Sequence, residues 1–436
     1  MQSTSTNKEM SSKFMVSAPG KVILCGEHAS VYNKPAIAAA IAPRSYLLVA
    51  PSEDPRAIVL DFRDIGLNHA WDMDALPWDH DALLPANRSS YVNTLDTSLL
   101  QAILPHASTV SNNLPEAQRK IHIRSAAAFL YLFMSLGLRD GPGSVYTLRS
   151  FVPVGAGLGS SASVCVCWSA ALLLQNGTVA RPDAGLDTMC AKGHVEAISN
   201  WAFLGERCIH GDPSGVDNAV SAGGDAVLFQ RNTPEPPRIT PILSLPKLPM
   251  LLIDTKQERS TEDQIKKVRA NLCEGTERYL DDIEELTNSV LELISSGGFV
   301  GPDKIHAVRS LGDLMSQNHR LLALLGASHP RLERIIKLVD GAGIGWTKLT
   351  GAGGGGCTIT LLNPDVTDET KQRLERQLNA EGYKLYKTSL GSKGVGFRDC
   401  SMVEGDPIGD MTEEFTADLE FKGIARGLKD WMFWRT

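Results

Sequence analysis

The sequence predicts a two-domain α/β protein of mixed α+β character, and three observations carry that expectation. At 436 residues the chain is too long for one core of ordinary size. An extended apolar stretch, Val145 to Val152, runs into a glycine loop and then into an apolar helix. A Pro-rich stretch, Thr233 to Pro249, interrupts the pattern, and strands and helices restart after it, so the domain boundary belongs there.

Taken in order, residues 1–13 read as a polar, frayed tail. Phe14 to Ser17 and Val22 to Leu24 are expected as short strands around an Ala18-Pro19-Gly20 turn. Ala36 to Ala42 and Tyr46 to Val49 are expected as two more strands, broken at Pro43 because proline cannot donate to a ladder. Pro51 to Pro115, rich in Asp, Asn, Pro and Trp and weakly periodic, reads as a long insertion with some local strands. Helices are expected over Ala117–Leu138, Ser161–Gln175 and Asp187–Ile209. Beyond the boundary, Met250–Asp254 reads as a strand, Thr261–Ser296 and Asp303–Leu325 as long amphipathic helices, and Arg331–Val339 as a shorter one. Trp346–Leu349 and Cys357–Leu362 read as strands flanking the Gly351–Gly356 loop, followed by a helix over Asp368–Gly382 and a strand over Tyr383–Ser389. The expected division is a tail (1–13), an N-terminal domain (14–240), a C-terminal domain (241–400) and an extension of unassigned role (401–436).

Hydrophobic content of 43% and charged content of 21% are ordinary for a soluble globular chain. A formal charge of −7 argues against nucleic acid or an anionic membrane as main partner, so a phosphorylated ligand has to be held by local cations, backbone amides or metal. The eight cysteines are scattered without zinc spacing, which reads as reduced thiols in the cytoplasm. The longest apolar run, Ala126 to Leu138, suits a buried helix rather than a membrane span.

Chemistry is suggested by three blocks. In Pro153-Val154-Gly155-Ala156-Gly157-Leu158-Gly159-Ser160-Ser161-Ala162 the glycines let the backbone approach a ligand, and the helix start that follows favours an anion. Ser160 or Ser161 can cap the helix or place a hydroxyl on a phosphate-bound metal. A close-packed turn with a serine cap accounts for the same residues. Walker A spacing fails, because Gly351 to Gly356 is followed by Cys357 rather than lysine, and the dinucleotide spacing fails as well. The second block, Ala18 to His28, sets Lys21 on a strand and Glu27 and His28 in a turn, where a solvated hairpin end is the bland alternative. The third puts Glu206 near a helix end and Asp217 in a tight loop, which suits a metal ligand plus a base; a helix-end acid and an Asx turn are the bland alternatives. No second histidine stands at i+4 for zinc.

Together, and in this order, the blocks resemble the GHMP kinases. Within them the chain is similar to the mevalonate kinase family, on Ala18–Leu24 with Gly26-Glu27-His28, Trp201-Ala202-Phe203 with Gly205-Glu206-Arg207, His210-Gly211 with Pro213–Asn218, and Lys348–Cys357; Ala70-Trp71-Asp72 fits too. The resemblance covers Phe14 to Phe397. It implies a ribosomal-protein-S5-like N-terminal domain and a ferredoxin-like C-terminal one, with ATP and a small alcohol, mevalonate, between them. It implies that Gly155, Ala156, Gly157, Leu158, Gly159, Ser160 and Ser161 hold the ATP phosphates, and that Ser161 and Glu206 bind Mg²⁺. Asp217 is implied as the base or as the group orienting the hydroxyl, with Lys21 beside it. Lys21, Glu27, His28, Asp217 and Thr261 are implied on the substrate side. A homodimer and feedback inhibition by isoprenyl diphosphates are further family traits. The rivals are another small-alcohol kinase such as galactokinase, against which Lys21 argues, and a non-catalytic regulator on the same fold, against which the presence of Ser161, Glu206, Asp217 and Lys21 argues.

Overall fold

A computed structural model describes residues 13–83, 94–153, 155–183, 185–233, 235–243, 245–257, 260–273, 275–403, 405–409 and 430–434. The first half opens with strands β1 (Phe14–Cys25), β2 (Pro35–Pro51), β3 (Ala57–Phe62) and β4 (Leu67–Asp72), then helices α1 (Thr97–Ala107) and α2 (Glu116–Leu136). Strand β5 (Ser144–Ser150) leads to α3 (Ser160–Gln175), α4 (Thr188–His210) and α5 (Val216–Gly223), and the hairpin β6 (Ala226–Asn232) and β7 (Glu235–Ile242) follows. The second half runs β8 (Pro249–Asp254), α6 (Thr261–Asn271), α7 (Arg278–Ser295), α8 (Lys304–Leu324), α9 (Pro330–Gly341), β9 (Gly345–Leu349), β10 (Cys357–Leu362), α10 (Asp368–Ala380) and β11 (Lys384–Ser389). Two short strands, β12 (Gly396–Asp399) and β13 (Met432–Phe433), end it.

These strands form two sheets. The first has the order β13-β12-β1-β2-β5-β3-β4, with β6 on β2 and β7 on β6. The second has the order β11-β8-β10-β9, all antiparallel; with α6 to α9 leading into β9 and α10 leading into β11, this is a ferredoxin-like arrangement. One large core lies between the first sheet and helices α1 to α4. A second core is shared by the two sheets: Val22, Leu24, Ile37 and Ile41 of the first pack with Met250, Leu252, Ile359 and Leu361 of the second. Residues 126–134 of α2 are all buried, and no described helix is long and apolar enough to cross a membrane.

Several expectations are corrected. The expected strand pairs at Phe14–Leu24 and Ala36–Val49 are each one continuous strand. Proline is tolerated because both sites sit at a ladder irregularity: Pro19 pairs with Arg44, Lys21 with Ala40, and Ile41 to Pro43 fall in the gap between. The Ala42 N–H in that gap donates to Thr388 Oγ1 of β11, 3.2 Å away. Within 51–115 the expected local strands are β3 and β4, which extend the first sheet, and the Trp71 indole packs on Phe129 and donates to the His106 carbonyl at 3.0 Å. The expected single helix Thr261–Ser296 is two helices. The Thr276 hydroxyl donates to the Asn271 and Cys273 carbonyls (3.2 and 3.0 Å) and accepts the Cys273 N–H (2.8 Å), a local alternative that ends the first one. The Pro-rich boundary contains a sheet strand, β7. Gly396–Asp399, expected in the C-terminal domain, pairs with Phe14–Ser17 of the first sheet instead, and β13 in the extension pairs with it in turn. Most of the expected tail and extension lies outside the described residues.

Candidate active site

The glycine loop departs from ordinary backbone at three points. Gly155, Gly157 and Gly159 have φ of 74°, 78° and 73°, the left-handed region that glycine enters without strain. The residues between them, Ala156 and Leu158, are buried in the core that the two sheets share, so the loop is pinned from below. Gly159 is the residue before α3, and no side chain caps that end. The expected serine cap is therefore absent. The Ser160 hydroxyl meets Ser150 Oγ at 3.4 Å and the Ser161 hydroxyl meets His210 Nε2 at 3.2 Å. The first-turn N–H groups of α3 are left for an anion.

Asp217 lies in the first turn of α5 rather than in the expected tight loop. Lys21 reaches it from β1, with Nζ 3.2 Å from Asp217 Oδ1, and donates to the Gly157 carbonyl at 3.3 Å. The Lys21 N–H is held by the Leu158 carbonyl at 2.8 Å. A Cβ on Gly159 would stand 3.0 Å from Lys21 Cγ and 3.7 Å from Asp217 Oδ2, so loop, lysine and aspartate meet at one spot. The lysine side chain is nearly covered, whereas 28% of the aspartate side chain is exposed, so the acid is the more solvent-facing of the two.

Glu206, near the C-terminal end of α4, is 4% exposed, and its Oε1 has no hydrogen-bond partner. Burial pushes its carboxyl up to about 7; the Ser161 hydroxyl pulls it back, the Asp217 charge raises it further and Lys21 lowers it. An orphaned buried carboxylate oxygen beside a hydroxyl fits a hard cation that takes few protein oxygens and completes its shell with phosphate and water, as Mg²⁺ does. His210, at the end of α4, has its pKa lowered, chiefly by burial.

The other residues expected on the substrate side lie in the turn after β1 and at the start of α6. The Glu27 side chain has no exposed surface: Oε1 pairs with Lys348 Nζ and Oε2 accepts from Asn318 Nδ2 at 2.9 Å. His28, at φ 60°, bonds the Ala352 carbonyl through Nε2 at 2.9 Å. Both residues of the turn thus contact the second domain. Thr261 is exposed at the first position of α6, and no described contact joins it to Lys21 or Asp217.

Sequence reasoning gave no role to Lys348 and Thr350, which stand in the Lys348–Cys357 block, and did not single out Asn318 and His319. Lys348 is wholly buried at the end of β9, and Asn318 and His319 are buried on α8. Their signal was present: Leu311, Met315, Asn318 and Leu322 share one helical face, so the asparagine is a polar residue at a core position.

Comparison with known proteins gives a consistent result. The family described as GHMP kinases N terminal domain matches residues 122–225, and GHMP kinases C terminal matches residues 304–384. A mevalonate kinase of Aspergillus fumigatus is 48% identical over 470 aligned residues, covering 99% of this chain and 85% of that one. A mevalonate kinase of Gibberella zeae is 46% identical, with 98% and 90% covered. Among solved structures, the Methanococcus jannaschii mevalonate kinase shares the fold, with a TM-score of 0.61 at 22% identity, covering 87% of this chain and 98% of that one.

Proposed function

The chain belongs to the mevalonate kinase family of the GHMP kinases, and on that footing we propose that it transfers the γ-phosphoryl group of ATP to the primary hydroxyl of (R)-mevalonate, giving 5-phosphomevalonate and ADP. The observation that carries the reading is the Lys21–Asp217 ion pair, 3.2 Å across and set against Gly159 at the start of α3. The alcohol oxygen bonds to the γ-phosphorus while the bond from that phosphorus to the β-bridging oxygen breaks, and ADP leaves with that electron pair. The proton of the alcohol goes to Asp217 or is oriented by it. Lys21 offsets charge on the attacking oxygen and the transferring group, where most of the catalysis of phosphoryl transfer arises. The uncapped N–H groups of α3 and the Gly155–Ser161 backbone receive the phosphates.

Ser161 and Glu206 would hold the metal, which we take as Mg²⁺; when bound it neutralises phosphate charge. The reading also includes a homodimer, isoprenyl diphosphates as competitors at the ATP site, a place early in isoprenoid and sterol synthesis, and a cytoplasmic location. The test is ADP release with mevalonate, galactose, homoserine or no acceptor. Turnover with mevalonate alone is the expected result; turnover with galactose alone, or none at all, overturns it.

A further inference from the structure

The second domain grips one short segment of β1 and the turn after it at successive points. At Ile23 the Thr350 hydroxyl accepts the main-chain N–H at 2.9 Å and donates to the carbonyl at 3.0 Å, standing in for a neighbouring strand, since β12 runs beside Phe14–Ser17 only. Lys348 Nζ also reaches the Ile23 carbonyl at 3.5 Å and the Leu349 carbonyl at 2.7 Å. At Glu27 the carboxylate is shared by Lys348 and Asn318, and at His28 the ring bonds Ala352. Behind Lys348, the Leu349 N–H donates to His319 Nδ1 at 3.3 Å, and His319 Nε2 faces Glu333 at 3.1 Å. Within β1, the pairing with β2 shifts register between Pro19 and Lys21 and again between Ile23 and Cys25. The β2 ladder is therefore irregular on both sides of Lys21.

We infer that the buried Glu27–Lys348–Asn318 cluster, with Thr350, is a positioning device through which the second domain holds β1 in the register that keeps Lys21 against Asp217 and the glycine loop. The inference rests on the kinase reading of that site. Glu27 and Lys348 have no exposed side-chain surface and lie 321 residues apart in sequence. Well-packed apolar side chains would stabilise such an interface as well as a fully buried ion pair does, so what the pair adds is fixed geometry. The register shifts interrupt the β2 ladder around Lys21, so contacts on the other edge of β1 help fix its position there, and a displacement of about 1 Å at a reacting group is enough to cost about a hundredfold in rate. Lys348 and Glu27 are positioning residues, acting through Lys21.

A double-mutant cycle on the full chain tests this. Glu27→Gln with Lys348→Met removes both charges at similar volume and leaves no lone buried charge. The double variant is expected to unfold cooperatively within about 5 °C of wild type and to lose about 10- to 100-fold in kcat. In a Lys21→Met background the same exchange is expected to change kcat by less than about twofold, because its effect runs through Lys21. An unchanged kcat, or an equal loss in both backgrounds, overturns the proposal. If the double variant does not fold, Thr350→Ser and Thr350→Val replace it: Ser is expected to keep kcat and Val to lower it, and equal activity overturns the proposal. Turnover by the wild-type chain judges the kinase reading separately, and the cycle is run with whichever acceptor it phosphorylates. Should it phosphorylate none, crystals of the double variant decide: a widened Lys21–Asp217 separation supports the device, and one still near 3.2 Å overturns it.

Discussion

On the proposed reading Asp217 and Lys21 divide the work at the reacting oxygen, and single substitutions separate their roles. Asp217→Asn keeps the shape and removes the carboxylate; kcat is expected to fall by roughly two to four decades, with nucleotide binding retained. Lys21→Met is expected to lower kcat strongly and to change the Kd of an ATP analogue only a few-fold; a steep loss of nucleotide affinity with kcat preserved at saturating ATP would make the lysine a phosphate anchor instead. Glu206→Gln is expected to weaken Mg²⁺-dependent turnover more than mevalonate binding. The same substitution carries a stability signature. A carboxyl raised to about 7 in the folded state, against an ordinary 4.5, keeps its proton between those values while the unfolded chain has released its own. Native protein then binds more protons, so stability is lost as pH rises from 4.5 to 7, by roughly 3 kcal/mol at most. In metal-free thermal melts, Glu206→Gln is therefore expected to raise Tm at pH 8 and to leave it nearly unchanged at pH 5. That Lys21 and Asp217 belong together was legible in the blocks they stand in, although the strand that carries Lys21 runs on through the turn expected at Ala18-Pro19-Gly20. The pairing of Glu27 was not: its partners lie on β9 and α8, and no local pattern announces a pairing across so much chain.

Among elements, the glycine loop places the tightest demands on sequence. Gly159→Ala forces a left-handed φ on a residue with a Cβ and sets a methyl 3.0 Å from Lys21 Cγ. The strain is on the order of 1–2 kcal/mol, and the displaced lysine is expected to lower kcat by about tenfold or more in steady-state assays, with the protein still folded by circular dichroism. The helices α2, α3 and α4 were legible to within a residue or two because a helical apolar pattern depends only on neighbouring residues. The strands were less so. Pro19 and Pro43 signal breaks locally, yet Pro19 sits at the edge of a ladder irregularity and Pro43 inside it, and that irregularity exists only once β1 and β2 lie side by side. At the break between α6 and α7 the Thr276 hydroxyl bonds backbone groups of Asn271 and Cys273, which periodicity does not register.

At the scale of the molecule, the two halves were legible and the return of the chain to the first was not. Strand β12 closes against β1, β13 adds to it, and Trp434 is buried in the first core with its indole donating to the Ala180 carbonyl at 2.8 Å. Trp434→Ala is expected to cost about 3–5 kcal/mol, read from denaturant unfolding, although the residue is far from the chemistry. A ribosome delivers Phe14–Ser17 long before Gly396–Asp399. At roughly 5–20 residues per second, the outer edge of that first strand waits on the order of 20–80 seconds for its partner, with the whole second sheet made in between. During biosynthesis the nascent chain carries an unpaired strand edge throughout, which makes it a client for whatever in the cell shields such edges.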